Sequence, residues 1–203
     1  MKDLPELITD RNIFLNLRSE CEKIIDTHKR LPEFVFRRPF TKYFAVEYGE
    51  VHRREFTALL STMAYSCMDD SVNYMTLDPD PENYYFQHYH FYGLASFRPS
   101  TLAERYLPVM FRDRHPDSFL ARGGDVGVFW GSSLKWAIFC DRISWELALI
   151  AVSENTDVAN PGLRFMDCSL LLDYIKSLYH SDRSKALEFA KIFGINYRLT
   201  SPP

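Results

Sequence analysis

Hydrophobic residues recur at helical spacing near the start of the chain, where Ile13, Phe14, Leu17, Cys21, Ile24 and Ile25 fall on one face. Asp10 stands at the N-cap position and Leu31-Pro32 ends the pattern, which predicts a helix over 10–29. Extended segments follow at 34–37 and 42–48, the second alternating Phe44, Val46 and Tyr48 before a turn at Gly49. The stripe Phe56, Leu59, Leu60, Met63, Ala64 and Cys67 predicts a second helix over 51–67. Asp69-Asp70-Ser71 stops it, and 72–77 reads as a strand. Asp78-Pro79-Asp80-Pro81 can be neither helix interior nor central strand, because each proline lacks a donor and restricts its predecessor. It reads as a stiff, solvated turn.

Residues 84–97 read most simply as one long strand, with Gly93 at a bulge and Pro99 ending it. Thr101-Leu102-Ala103-Glu104 has the form of a capping box opening a short helix. The charged stretch 111–124, with Gly123-Gly124, is the candidate mobile surface loop. Three successive strands follow at 125–130, 134–140 and 143–152, joined by turns at Gly131-Ser132-Ser133 and Asp141-Arg142. Trp136, Ile138, Trp145, Leu147 and Leu149 mark this β-meander as the centre of the sheet. Two helices close the chain over 169–180 and 182–193, with Gly194 as the expected stop. The pattern predicts an α+β fold in a single domain over 1–203: an antiparallel sheet with a C-terminal β-meander, helices packed on one face and at the ends.

Composition supports an ordinary core. The chain has 203 residues, 46% hydrophobic and 25% charged, enough to fold without disulfides or metal. Cysteines at 21, 67, 140 and 168 are widely spaced in apolar segments, as for free thiols that pack as small hydrophobes. A polar, proline-broken start and an apolar run no longer than 147–152 predict a soluble, reduced, cytoplasmic protein with no membrane partner.

Charge changes the picture more. Net charge is −3, yet residues 55–97 hold six carboxylates and no Lys or Arg, leaving the remainder at +3. Within that stretch, Tyr84 to Tyr92 packs four tyrosines and two phenylalanines. An acidic aromatic sector suits a basic protein surface and not nucleic acid. It would stand opposite arginines such as Arg37, Arg38, Arg53, Arg54, Arg112 and Arg114, unless the two sectors fold back and pair. Arginines at 98, 105, 112, 114 and 122 could form a basic patch, but the overall pI of about 6.1 and the lack of a fold signature disfavour nucleic acid.

Candidate chemistry is sparse. His88 and His90, two apart on a strand, would face the same way and could share a metal, with a third ligand from Asp78, Asp80 or Glu82. No diagnostic ligand spacing accompanies them. Asp78-Pro79-Asp80-Pro81 lacks the glycine and spacing of a calcium loop. Gly131-Ser132-Ser133 is a hairpin turn and not a nucleophile elbow. Gly123 to Gly127 precedes no helix and so makes no phosphate loop. Cys140 beside Asp141 reads as a packed thiol.

The meander brings a resemblance. Val128-Phe129-Trp130, then Leu134 to Arg142 ending in Cys-Asp-Arg, then Ser144-Trp145-Glu146-Leu147-Ala148-Leu149 is similar to a pattern in bacterial immunity proteins. Phe165-Met166-Asp167 followed by Leu170-Leu171-Leu172-Asp173-Tyr174-Ile175 also suits that group. The resemblance covers about a third of the chain and implies a non-catalytic protein that neutralises a cognate toxin. Joined to the acidic sector, it predicts a cofactor-free inhibitor, monomeric or weakly dimeric, that occludes the active cleft of a basic toxin. The expected contacts are Asp69, Asp70, Asp78, Asp80, Glu82, Tyr84, Tyr85, His88, Tyr89 and His90. The competing expectations are a small metal-dependent hydrolase centred on His88 and His90, and an oligomerising scaffold using the same aromatic face.

Overall fold

The structure is a computed structural model that describes residues 4–111, 120, 124–158 and 162–200. Seven strands form one antiparallel sheet in the order β3-β2-β4-β5-β6-β1-β7. They are β1 (Lys42–Glu47), β2 (Val72–Asp78), β3 (Leu94–Phe97), β4 (Val126–Gly131), β5 (Trp136–Asp141), β6 (Leu147–Val152) and β7 (Phe165–Met166). The helices are α1 (Arg11–Ile24), α2 (Arg54–Cys67), α3 (Tyr85–Tyr89), α4 (Leu102–Met110), α5 (Cys168–Leu178) and α6 (Arg183–Asn196). The α+β class and the meander β4-β5-β6 are as expected.

The helices, expected on one face and at the ends, cover both faces. Alternation along each strand feeds two separate cores. One holds Phe44, Tyr74, Phe129, Trp136, Ile138 and Ile150 against α2 and α4. The other holds Met75, Val128, Trp130, Phe139 and Leu149 against α1, α5 and α6. Every residue of β4, β5 and β6 is therefore buried. The β3 edge is covered, with Ile8 N donating to Leu94 O and Ser96 N to Glu6 O; on the other side β1 is partnered by the two-residue β7 and by Thr200 N donating to Tyr43 O. Such pairing leaves few bare ladder groups for unwanted strand addition.

Several boundaries move for identifiable reasons. Asp10 caps α1 by accepting from Asn12 N and Ile13 N. The helix stops at Ile24 and not near 29, because 24–26 pairs with 35–37 through Asp26 N to Val35 O and Arg37 N to Ile24 O. Residues 48–52 form a 3-10 turn ahead of α2. The capping box at Thr101 does not form: its hydroxyl donates to Arg98 O, and α4 begins without a side-chain cap. Gly194 does not stop the last helix, which runs two residues further to Asn196. Of the loop expected at 111–124, only Phe111, Leu120 and Gly124 lie within the described residues, and Leu120 is fully buried. Arg112, Arg114 and Arg122 lie outside them.

The largest departure is at 84–97. A strand was expected; the chain instead forms α3, turns, and only then enters β3. Asp80 explains the start, since its Oδ1 accepts from Glu82 N at 3.0 Å and Asn83 N at 2.6 Å and its carbonyl accepts from Tyr84 N. That capped turn launches helical bonds from Phe86 N to Glu82 O and from His88 N to Tyr84 O. The left-handed His90 (φ 59°) ends the helix.

Candidate binding surface

The sheet has one end at which β2, β5 and β1 finish and β4 and β6 begin. Register aligns Asp78, Val126, Asp141, Leu147 and Glu47 across it. With neighbouring strands about 4.8 Å apart, Asp78 and Glu47 stand about 19 Å from one another. Asp125 and Glu146 sit one residue outside this row. The connection carrying Asp80, Glu82 and α3 leaves β2 at the same end. Carboxylates distant in sequence thus gather on one rim.

Their states differ. Glu47, Asp78, Asp80 and Glu146 are exposed, and among the described residues none forms an ion pair. Asp125 is paired with Arg142 at 2.6 Å, and Glu82 meets Arg11 at 3.5 Å. Asp141 is buried; its Oδ1 accepts from Ser144 N and Trp145 N, while Oδ2 has no hydrogen-bond partner among the described residues. Burial pushes its pKa up, against the hydrogen bonds from the Ser144 and Trp145 amides and then the Arg30 charge, which favour the carboxylate. Arg53, expected opposite the acids, is tied to Glu50 and Glu55, and Arg37 to Asp26. These arginines are therefore engaged internally, while the four rim carboxylates stay open.

The ten contact residues expected from sequence do not form one surface. Asp69 and Asp70 lie at the opposite end of the sheet, beyond the first residue of β2. Asp69 is only 8% exposed and serves the fold: it accepts from Ser133 N at 2.6 Å, Trp136 Nε1 at 2.8 Å and Ser132 Oγ at 3.4 Å. Asp70 is exposed, its amide donating to Ser132 Oγ. The other eight, Asp78, Asp80, Glu82, Tyr84, Tyr85, His88, Tyr89 and His90, stay together.

Within that group the aromatics mostly point inward. Tyr85 and Phe91 enter the core under α2 and α4, with Tyr84 and Tyr89 half-buried against it. Tyr92 enters the opposite core, stacked between Phe14 and Phe86 at ring separations of 4.1 and 4.6 Å. Past the helical turn, the consecutive residues Phe91 and Tyr92 go to opposite cores, so the segment straddles both. Phe86, His88 and His90 remain exposed. Strand geometry would have aimed both imidazoles one way; here His88 lies in α3 and His90 is its left-handed cap. Among the described residues, no group of three or more His, Cys, Asp or Glu side chains is placed to hold a metal ion. Burial pushes the Cys140 thiol up, away from reactivity.

Sequence reading missed Glu47, Asp125, Asp141 and Glu146 as members of this rim. The signal for Asp125 and Asp141 was present, since meander turns return each strand beside its predecessor. The insertion of β1 beside β6, which brings Glu47, had no local signal. Among the described residues, no helix is long and apolar enough to cross a membrane. The chain matches no protein-family model, no curated protein and no solved structure. The likeness to immunity proteins rests on the quoted residues alone.

Proposed function

We propose that this chain is a non-catalytic binding protein that docks a basic protein through the acidic end of its sheet. The observation that carries the reading is the open row of carboxylates Glu47, Asp78, Asp80 and Glu146, free of ion pairs among the described residues and rooted in or beside a rigid, doubly covered sheet. A span of about 19 Å suits the mouth of a cationic cleft better than a single ligand side chain. Complementary charge of this kind raises encounter rate and fixes orientation. Phe86, His88 and His90 supply the exposed ring surface beside it, a smaller anchor than the full tyrosine run.

The resemblance extends this reading to toxin neutralisation by occlusion, with the partner a secreted or injected basic enzyme. Asp69 and Asp70 are not part of the proposed contact. The metal-hydrolase reading loses the strand geometry on which it was built, and the scaffold reading loses most of its exposed aromatic face.

The test is capture followed by reconstitution. The immobilised protein should retain a basic protein that forms a stoichiometric complex and loses its own activity on binding. A captured enzyme that stays active in the complex, or binding unchanged by reversal of the rim charges, would overturn the proposal.

A further inference from the structure

We infer that a pocket between α1 and the turn after β2 binds a small zwitterion of the α-amino-acid class. The pocket is about 200 Å³, and its lining brings Arg18, His28 and Arg30 together with Asp80. Met75, Leu77 and Pro81 supply apolar wall. Its volume is below the range of drug-sized sites, which restricts the occupant to a few heavy atoms.

The charged groups retain unused capacity. Arg18 spends Nε on Glu22 at 3.0 Å, and Arg30 spends Nη1 on the carbonyls of Thr27 and Lys29. Among the described residues, the Nη atoms of Arg18, Nη2 of Arg30 and the His28 ring meet no protein acceptor. Asp80 uses Oδ1 for Glu82 N and Asn83 N, leaving Oδ2 free. Although they share a pocket, Asp80 and the two arginines form no ion pair within 4.0 Å. Opposed charges held apart by an open space fit a ligand that carries both signs.

A carboxylate would sit on the guanidinium pair, which favours planar oxyanions. An ammonium would reach Asp80. A phosphate dianion would meet the same guanidiniums but also the repulsion of Asp80, so a monoanionic head is preferred. The apolar wall favours a short aliphatic side chain. The inference needs no protein partner, although Asp80 belongs to both sites.

The experiment is titration of the full chain with L-valine, glycine, acetate and inorganic phosphate, followed by amide chemical shifts at 18, 27–30 and 80. L-valine should bind tightest, with acetate and phosphate weaker. Arg18→Gln should weaken L-valine about tenfold or more. Asp80→Asn keeps the capping acceptor and should reverse the order, making acetate or phosphate the better ligand. Failure of all four ligands to move these amides would overturn the inference. So would acetate or phosphate equalling L-valine in the unaltered protein, or an unchanged order in Asp80→Asn.

Discussion

Replacing Asp69 by Ala would leave the buried Trp136 indole N–H and the Ser133 amide without their acceptor. Buried donors stripped of a charged partner are costly, so Asp69→Ala is expected to destabilise by about 3 kcal/mol. Thermal unfolding should show a midpoint roughly 6–12 °C lower, while partner binding by the correctly folded fraction stays unchanged. The opposite case is Tyr85, fully buried with a hydroxyl that finds no partner among the described residues. Tyr85→Phe should therefore stabilise by about 1 kcal/mol, read from the shift in denaturation midpoint. Glu6 carries a pH signature. The Arg105 guanidinium, bonded to it at 2.6 and 2.8 Å, holds its carboxyl below the usual range. A depressed carboxylate stabilises above its unfolded pKa and loses that contribution as pH falls through the folded value. Glu6→Gln should cost about 1 kcal/mol at neutral pH, and the gap to the unaltered protein should close on acidification below about pH 4. None of these three roles was legible in sequence, because each depends on a partner more than thirty residues away or on the lack of one.

Elements were legible where one local rule acted alone. The meander reads from its apolar runs and turns, and α1 from its cap and stripe, since both are set by neighbours in sequence. Residues 84–97 failed because aromatic content argues for a strand while the Asp80 cap argues for a helical turn. The cap prevails with help from packing: Tyr85 and Phe91 fill one core, and Tyr92 stacks on Phe14 in the other. Gly93 is required there for a close approach, as an added Cβ would lie 2.3 Å from Thr76 Oγ1 and 2.7 Å from the Tyr85 ring. The element predicts a divided response to mutation. Tyr85→Ala should cost about 3–5 kcal/mol, measured by chemical denaturation. Phe86→Ala, at a position 37% exposed but stacked on Tyr92, should cost only about 1 kcal/mol and weaken partner binding.

For the whole molecule, the lesson concerns how charge is gathered. The sequence shows an arginine-free acidic block, and folding splits that block between the two ends of β2. It then recruits Glu47 and Glu146 from elsewhere to one end, through strand neighbours that no local pattern announces. The acidic character survives, but its address changes. The central claim is that this end docks a basic protein, and the most direct measurement is capture by two proteins side by side: the unaltered chain and a Glu47→Lys/Asp78→Lys/Asp80→Lys/Glu146→Lys variant with verified folding. The unaltered chain should retain a basic protein released by raised salt, as expected when charge dominates encounter, and the variant should retain none of it. Equal retention of the same protein by both chains, or retention indifferent to salt, would contradict it.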